Sequence, residues 1–546
     1  MIAQTPSMRK AAKMSEPALR FLPVNLGTIL VELPGLDETL ALFSSLQAEP
    51  VAGIEEMIPA SRTLMIRFIP EKLSAAALAA DIRRRDLSAR AAPSAHLVEI
   101  PVRYDGEDLA AVADLTGLSA GEVVRRHTES EFTVAFCGFA PGFGYLVGGD
   151  PALQVPRRQS PRTRIPAGSV ALAGIFSGVY PRTSPGGWQI IGTTPLAMWD
   201  VRREPGALLQ PGYRVRFFDM ERARASFSMP AAAPAAAEPE VAADAPQLRV
   251  LAAPMPALFQ DRGRFGQTGQ GIAASGPMDR GAFHAANRLA GNPPGTPCLE
   301  LTLGGFCFES NCRAVIGLAG APCCVTLRDA SGREQILESG RPMALEPGDR
   351  VTIGHPARGM RSYLAVRGGF RVTPVLGSAA TDTLAGVGPA PVTAGAALAL
   401  AGDTAGLASV SPQEPAAFEA PASGEVVTLD VVLGPRTGWC TQQGVETLAG
   451  QEWVVTPQSN RVGLRLAGAV PVERRDNAEL QSEGTAYGAI QIPPNGQPVL
   501  FLADHPLTGG YPVIATVAEY HLDLAGQIPV HARIRFRPIA PFSEIP

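Results

Sequence analysis

Two short segments, far apart in the chain, repeat one pattern, and this repeat restricts the possible folds more than any other feature. Residues 186–193 read GGWQIIGT and residues 509–516 read GGYPVIAT. Each is followed by a similar strand-forming triplet, at 215–217 and 534–536. A matched spacing of this kind indicates one structural unit present twice, which must be recognised before a fold is assigned. The alternative is two unrelated Gly-Gly hairpin turns, which are common in β proteins.

The chain has 546 residues, which at roughly 100–200 residues per domain predicts several domains. Its 57 Gly and 51 Pro are scattered, and this favours many short strands joined by turns. The expected units are a tail at 1–18, a small α+β domain at 19–97, a β-barrel at 98–220, an Ala/Pro linker at 221–247, a second barrel at 248–402, a linker at 403–424 and a last barrel at 425–546. The Ala/Pro/Glu composition of 229–246 predicts an extended joint between two formerly separate proteins.

Two helices carry clear end signals. Ser119 followed by Glu122 is a capping box, which predicts a short helix running to His127. A second helix is predicted from Met278 to Leu289, with Gly291 as its stop. Either Ser275 or Asp279 is expected to cap that helix.

The composition excludes several function classes. The net charge of −4 comes without a basic stripe, so no nucleic-acid partner is expected. No apolar run is long enough for a membrane span, and the seven cysteines form no Cys-x-x-Cys pair, so neither a membrane partner nor a metal site is expected. The missing signal peptide and the free cysteines favour a cytoplasmic protein. The three lysines, Lys10, Lys13 and Lys72, leave the larger part of the chain without a residue for biotin attachment or a phosphate-loop Gly-Lys-Thr.

Six strings are candidates for chemistry because they place glycines beside polar or aromatic residues. They are GFAPGFGYL at 138–146, PRRQSPRTRIPAGS at 156–169, YPRTSPGGWQ at 180–189, SGPMD at 275–279 and, in the last barrel, SNRVGLRL at 459–466 with DHPLTGGYP at 504–512. Gly-rich turns let backbone N–H groups approach a ligand, and Arg side chains suit carboxylates or phosphates. The structural alternatives are an aromatic-packed corner, a solvated basic loop and a helix cap.

At these strings the sequence resembles a known family. Residues 19–220, with GFAPGFGYL, PRRQSPRTRIPAGSVALAG and SGVYPRTSPGGWQIIGTTP, resemble the B subunit of 5-oxoprolinase, also called the first subunit of allophanate hydrolase. Residues 248–540, with QDRGRFGQTGQGIAASGPMDRGAFHAANRLAGN, SNRVGLRLAG and ADHPLTGGYPVIATV, resemble the C subunit of the same enzyme. Both halves are also similar to the carboxyltransferase part of urea carboxylase. The resemblance implies a mainly β fold with α+β, built from tandem cyclophilin-like β-barrels and a small N-terminal α+β domain.

The resemblance also implies an activity and its partners. In the family, the B and C subunits act with a third, the A-type subunit, to open 5-oxoproline to glutamate using ATP, and no A-type region is present here. The expected function is therefore the fused B and C part of an ATP-dependent 5-oxoprolinase or urea amidolyase-type enzyme acting on a small amide or lactam. ATP would be bound with the partner protein. The first alternative is a carboxyltransferase component working with a separate biotin carboxylase and biotin carrier, without covalent biotin on this chain.

Several motif positions depart from the family pattern. Examples are Asn460 in SNRVG, Ala379 in GSAAT and Val513 after GGYP. Each departure replaces a charged or polar group of the family pattern. These losses favour a second alternative, a non-catalytic regulatory or binding module of the kinase-inhibitor type.

The sequence predicts one cleft between the two halves. The proposed catalytic residues are Arg461, Asp279, Gln189 and His127. The proposed substrate-binding residues are Gly142, Tyr180, Ser184, Gly186, Gly187, Trp188, Ser275, Gly509, Gly510 and Tyr511. Trp188 and Tyr511 are expected to form apolar walls with a polar edge. Arg461 is expected to contact an anionic ligand, or alternatively to brace a turn.

Overall fold

The computed structural model describes residues 19–88, 94–158, 160, 162–222, 242, 244–475, 478 and 480–546. The predicted tail at 1–18 and most of the predicted linker at 221–247 lie outside these residues. No helix in the described ranges is long and apolar enough to cross a membrane.

The small N-terminal domain is a four-stranded antiparallel sheet with two helices. Its elements are β1 Arg20–Asn25, β2 Thr28–Glu32, α1 Leu36–Ala48, β3 Ile54–Pro59, β4 Thr63–Phe68 and α2 Ala75–Arg83. The strand order β1-β2-β4-β3 leaves β3 at an edge. Alternation along the strands divides the apolar residues between two faces, because successive side chains point in opposite directions. Ile29 and Ile66 pack with the helices, whereas Leu30 and Met65 face another part of the chain.

The next unit is a seven-stranded sheet with two helices. Its elements are β5 Leu97–Val102, α3 Leu109–Thr116, α4 Ala120–Glu129, β6 Glu131–Cys137, β7 Gly144–Val147, β8 Arg162–Ile165, β9 Ser169–Ala173, β10 Phe176–Val179, β11 Ser184–Gly186, β12 Gln189–Thr193 and β13 Arg214–Asp219. The order is β12-β9-β10-β7-β6-β13-β5. Arg103 and Thr193 exchange two backbone hydrogen bonds of 2.8 Å, which joins the two ends of the sheet. The capping-box helix is α4, in which Ser119 accepts from the Glu122 N–H as predicted.

The third unit consists of two sheets around one hydrophobic core. Its elements are β14 Gln247–Ala252, β15 Ala257–Gln260, α5 Arg280–Ala290, β16 Cys298–Thr302, β17 Phe306–Ser310, β18 Ala314–Gly320, β19 Cys324–Arg328, β20 Glu334–Glu338, β21 Pro342–Leu345, β22 Arg350–Ile353, β23 Arg361–Val366 and β24 Ala397–Ala399. Six strands form one sheet and five the other, and both contribute to the same core. The predicted single barrel is thus divided into two sheets here. Asp279 caps α5 through a 2.8 Å bond from the Ala282 N–H, and Gly291 ends it at φ +66°.

The last unit is a closed barrel of seven strands. Its elements are β25 Val426–Leu433, α6 Gln442–Gly450, β26 Trp453–Val455, β27 Gly463–Ala467, β28 Glu483–Gly484, β29 Ala489–Gln491, β30 Val499–Phe501, β31 Thr508–Gly509, β32 Val513–Val517, α7 Leu522–Gly526 and β33 Arg533–Ala540. The order around the barrel is β25-β32-β29-β30-β27-β26-β33.

The two seven-stranded sheets have the same topology. In each, the first strand pairs in parallel with the last, as β5 with β13 and β25 with β33. Each Gly-Gly-aromatic turn directly precedes the strand that borders the first strand, β12 in one sheet and β32 in the other. A two-stranded ribbon also accompanies each barrel, β8 with β11 and β28 with β31. The repeat seen in the sequence therefore marks equivalent places in two barrels, which confirms the predicted fold class.

The small domain is docked on the last barrel. Leu30 and Met65, on the sheet face opposite the helices, pack against Ala486 and Leu507. Arg436 of the last barrel is buried and ion-pairs with Glu32 at 3.2 Å and with Glu483. The residues that follow the last barrel also contact the small domain, since the Ile545 N–H donates to the Phe21 carbonyl at 2.9 Å. The small domain and the last barrel are thus held together by direct contacts.

These contacts lead to an expected result for limited proteolysis. The Ala/Pro composition of 229–246 predicts that a low-specificity protease cuts there first. The two fragments should remain associated, because a stable interface typically buries more than about 1,000 Å² and the small domain already packs on the last barrel. Gel filtration of the nicked protein checks this, and separate elution of the fragments would contradict it.

Candidate functional site

The strongest candidate site is a cleft where three units meet, called here the junction cleft. It has a volume of ≈ 230 Å³. The small domain, the loop 265–275 before α5 and the last barrel all contribute to its walls. Its polar and charged lining residues include Glu55, Glu56, Arg67, Ser275, Arg280, Thr485, Tyr487, His505 and Glu519. Because both halves of the chain contribute, neither half alone can form this cleft.

A buried ion network lies next to the cleft and joins the third unit to the last barrel. Arg461 donates to both carboxylate oxygens of Asp504, at 2.9 and 3.0 Å, and to the Gly276 carbonyl at 2.7 Å. Its remaining terminal nitrogen donates to Glu300. Ser275 of the cleft wall donates to Asp504 at 2.6 Å. The network therefore fixes the 275–276 turn, in which Ser275 adopts φ +58° and Gly276 φ +101°.

The charges in this network are strongly coupled. Burial alone would raise the pKa of Asp504, but the adjacent Arg461 guanidinium holds that pKa below its usual value. Burial likewise disfavours the charged form of Arg461, yet Asp504 and Glu300 keep its pKa well above the ordinary range. All three guanidinium nitrogens are already bonded, so the prediction that Arg461 contacts a ligand does not fit the geometry. The bracing role, which the sequence left open as the alternative, does fit.

His505 is the most informative residue of the cleft. Its Nδ1 lies 2.9 Å from the Pro506 carbonyl oxygen. A carbonyl can only accept, so Nδ1 carries the proton and Nε2 has the free lone pair. Burial lowers the pKa of His505, which keeps the ring neutral at pH 7. His505 is therefore a neutral imidazole with a basic nitrogen in the wall of the cleft.

Arg280 provides positive charge in the same cleft. Its guanidinium is exposed and lies 5.5 Å from the centre of the Tyr487 ring. The Tyr487 hydroxyl donates to the Met278 carbonyl at 3.2 Å, which fixes the ring beside the start of α5. The backbone N–H of Arg280 is held by Asp523 at 2.9 Å. This arrangement leaves the guanidinium available to an anionic group, without a hydrogen bond to any described residue.

Asp279 faces a second cleft, on the other side of the α5 start. This cleft measures ≈ 440 Å³ and is also lined by His284 and Gln527. One Asp279 oxygen caps α5, and the other accepts from Gln527 Nε2 at 2.8 Å. Burial raises the pKa of Asp279 to about 6. Of the two expected caps, Ser275 and Asp279, it is Asp279 that caps α5. The catalytic role predicted for Asp279 stays a prediction.

The residues predicted around the first Gly-Gly turn do not reach the junction cleft. Trp188 and Tyr180 are buried in an aromatic cluster with Phe143, because the turn packs into the first barrel. The expectation that Trp188 walls a cleft is therefore corrected. Gly186 lies so close to the Tyr180 hydroxyl that an added Cβ would clash with it, and the Gly187 carbonyl accepts from the Arg158 backbone N–H.

Some polar atoms near this turn nevertheless lack partners. Gln189 donates to the Pro156 carbonyl at 3.1 Å, but its Oε1 is buried and makes no hydrogen bond to a described residue. The Ser184 hydroxyl is also buried and also makes no hydrogen bond to a described residue. The catalytic role predicted for Gln189 and the substrate-binding role predicted for Ser184 stay predictions. Gly142, at φ +77°, donates its N–H to the Gln270 carbonyl and so joins the first barrel to the third unit.

His127 is a core residue of the first barrel. It is fully buried between the Tyr104 hydroxyl at 2.8 Å and the Ser177 hydroxyl at 3.0 Å. Burial lowers its pKa to about 3. Because both ring nitrogens are bonded and no part of the ring is exposed, the geometry does not support the predicted catalytic role.

The second Gly-Gly turn lies at the contact between the two barrels. Gly509 belongs to β31, and a Cβ added to Gly510 would lie 3.6 Å from an Arg157 nitrogen of the first barrel. Tyr511 is 37% exposed, so it can still offer the apolar wall expected of it. Next to this turn, the Phe139 N–H donates to the Thr508 hydroxyl at 3.1 Å. Ligand binding at this turn stays a prediction.

Sequence reasoning misses most of the cleft. It predicts Ser275 and singles out the strings 275–279 and 504–512, but it assigns no role to His505 and Arg280 within or beside them. Glu56 and Arg67 carry no sequence signal, because they reach the cleft through the docking of the small domain. Within the described part of the chain, no group of three or more His, Cys, Asp or Glu residues could hold a metal ion.

Comparison with known families defines the class of protein. The model of the carboxyltransferase domain, subdomains A and B, matches residues 270–538. The model of subdomains C and D of the same domain matches residues 19–209. The chain therefore carries both parts of a carboxyltransferase-type domain, with C and D before A and B.

Curated relatives narrow the class. Over 292 residues the chain is 34% identical to the C subunit of 5-oxoprolinase from Escherichia coli (strain K12), covering 53% of this chain and 90% of the relative. Over 190 residues it is 40% identical to the B subunit of 5-oxoprolinase from Bacillus subtilis (strain 168), covering 32% of this chain and 78% of the relative. The chain belongs to the family of the 5-oxoprolinase B and C subunits, and one polypeptide carries a part similar to each.

Two further similarities concern the arrangement of the halves. The crystal structure of TTHA0988 is 34% identical, with a TM-score of 0.78, and the match covers 94% of this chain and all of that chain. The fused arrangement of this chain therefore has a solved counterpart. The urea amidolyase of Lachancea kluyveri is 33% identical over 302 residues, but the matched part is 51% of this chain and only 16% of that protein.

Proposed function

We propose that this chain is the fused B and C component of an ATP-dependent enzyme that opens a small lactam or cleaves a small amide, and that the junction cleft holds that ligand. The observation that carries the proposal is the composition of the cleft. The small domain of the B-type half and two units of the C-type half build one site that contains a neutral histidine and an available arginine. This is consistent with relatives in which the B and C subunits are separate proteins of one enzyme, 5-oxoprolinase.

In this proposal His505 acts as a general base through Nε2. Its Nδ1–H is fixed by the Pro506 carbonyl, which holds the ring in the required tautomer. Asp504, the preceding residue, is held by Arg461, so the ion network positions the histidine rather than touching the ligand. Arg461 is then a positioning residue. Arg280 supplies positive charge for a carboxylate of the ligand or for the oxygen that becomes negative during attack on an amide.

ATP is proposed to act with the partner. The sequence has no Gly-x-x-x-x-Gly-Lys-Thr loop, and its lysines end at Lys72. A separate protein of the 5-oxoprolinase A type, called here the A-type partner, is therefore the proposed source of the ATP site and the proposed partner of this chain. In such a division of labour, the chain binds and orients the amide while the A-type partner supplies the energy of ATP.

A second candidate function is favoured by the matching family models, which describe a carboxyltransferase domain. In that case the junction cleft would accept a carboxyl group from a biotin carrier and pass it to urea or a related amide. The carrier and a biotin carboxylase would have to be separate proteins. Binding of a biotinylated carrier, but not of an A-type partner, would favour this candidate.

The proposal predicts a requirement for the partner. The purified chain alone should release little glutamate from 5-oxoproline and ATP, whereas addition of an A-type partner should restore turnover. Glutamate release, followed with each component omitted in turn, checks this. Efficient turnover by the chain alone would contradict the division of labour, and no turnover with any A-type partner would contradict the proposed reaction.

A further inference from the structure

Glu56 enters the junction cleft through an irregularity in the small domain. Edge strand β3 pairs with β4, but the register shifts between Ile54 and Glu56, so that Glu55 is the extra residue of a β-bulge. A bulge bends its strand and re-aims the side chains beside it, and bulges are common next to active sites. Here Glu55 and Glu56 both line the cleft, in contrast to the strict alternation of a regular strand.

The two glutamates share a single arginine but are not equivalent. Arg67 lies 3.2 Å from Glu55 and 3.5 Å from Glu56. The Glu55 side chain is 40% exposed, whereas that of Glu56 is 12% exposed. The Arg67 guanidinium also lies 5.2 Å from the Phe265 ring centre, across the cleft wall. Arg67 is thus held by three contacts, and its contact with Glu56 is made to Oε2.

The other oxygen of Glu56 has no partner. Glu56 Oε1 is buried and accepts no hydrogen bond from the described residues. Leaving a buried polar atom without a partner is costly, and most such atoms in folded proteins are satisfied. Burial accordingly raises the pKa of Glu56, although the charge of Arg67 acts in the opposite direction. Glu56 lines the cleft, so a turn of its carboxylate toward the cleft would let the N–H group of a ligand satisfy this oxygen.

We propose that Glu56 determines the selectivity of the junction cleft, by accepting a hydrogen bond from the N–H group of the bound lactam or amide at Oε1. The inference rests on the proposed function, because it takes that ligand to occupy the cleft. The cleft's arginines cannot fill this role, since a guanidinium only donates. Glu55 is already paired with Arg67, and its side chain is 40% exposed. The small domain therefore contributes a recognition residue as well as a wall.

The test compares two ligands that differ at one atom. The first is 5-oxo-L-proline, and the second is its γ-lactone analogue, in which a ring oxygen replaces the N–H group. Affinities are measured by calorimetry on the chain with its A-type partner, without ATP so that no turnover occurs. The native chain should prefer the lactam by about ten- to a hundredfold, which is the range expected for a hydrogen bond to a charged group.

Substitution then assigns that preference to one residue. Glu56→Ala should abolish it, mainly by weakening lactam binding, and the nearly isosteric Glu56→Gln should retain part of it. Glu55→Ala is the matched control, because it also removes a carboxylate from Arg67 but leaves Glu56 Oε1 in place, and it should keep the full preference. A structural role for Glu56 would instead lower the melting temperature and weaken both ligands equally, which would overturn the inference.

The remaining outcomes separate this inference from the proposed function. If the native chain binds 5-oxo-L-proline and Glu56→Ala keeps the same lactam preference, Glu56 is not the recognition residue and the proposed function stands. If the native chain with its partner does not bind 5-oxo-L-proline, the role of Glu56 and the proposed function are both overturned.

Discussion

Replacing His505 by Ala should lower the rate of amide or lactam cleavage by about a hundred- to ten-thousandfold, the range that a positioned general base usually contributes. His505 offers a neutral imidazole whose Nδ1–H is bound to the Pro506 carbonyl and whose Nε2 is basic. Alanine removes that nitrogen and leaves the neighbouring backbone unchanged. The assay is 5-oxoproline ring opening by the chain with an A-type partner and ATP, compared as kcat and as kcat/KM.

The same residue predicts a pH dependence. The base form of His505 must be neutral, so kcat/KM should fall as the pH decreases through the folded-state pKa. Because burial lowers that pKa, the fall should occur below the usual histidine value of 6.5. Above that pH His505 stays neutral, so its titration should cause no further change in kcat/KM. In His505→Ala the acidic limb should be absent.

His355 provides a matched control. Its Nδ1 is likewise bound to a carbonyl, that of Leu303 at 2.7 Å, but the ring is exposed and does not line the junction cleft. His355→Ala should therefore leave the rate and the acidic limb as they are in the native chain. An equal loss in both variants, or full activity of His505→Ala, would remove His505 from the proposed mechanism.

The fold could be predicted from the sequence because its strongest signal is local. The Gly-Gly-aromatic pattern and the strand that follows it are short-range features, and they recur at equivalent places in two barrels of identical strand order. The start of α4 and the end of α5 were predictable for the same reason, since Ser119 and Gly291 act on backbone groups within a few residues of themselves.

The site was less predictable because it depends on contacts between distant parts of the chain. The cleft forms because Leu30 and Met65 of the small domain pack on the last barrel. No local sequence pattern predicts this contact. Trp188 illustrates the converse. An aromatic residue beside two glycines suits either a ligand wall or a packed corner, and only the surrounding aromatic cluster decides for the corner.

Replacing Arg461 by Ala should destabilise the protein by about 3–5 kcal/mol, the cost of removing one partner from a buried ion pair. The substitution leaves the buried carboxylates of Asp504 and Glu300 without their shared cation, and it frees the turn at Ser275. The effect should appear as a lower denaturation midpoint of the last barrel, reported by the buried Trp453.

The control for this substitution is Arg535→Ala. Arg535 also pairs with a carboxylate, Glu452 at 2.7 Å, but its side chain is 55% exposed, so its loss should cost about 1 kcal/mol or less. If Arg461 instead acted on the ligand, Arg461→Ala would spare stability and weaken binding, and the bracing role would have to be abandoned. Activity alone cannot separate the two, because a loosened Asp504 also displaces His505. A stability loss that exceeds the Arg535 value by several kcal/mol therefore decides the question: it would show that the arginine acts by holding the turn and the histidine in place.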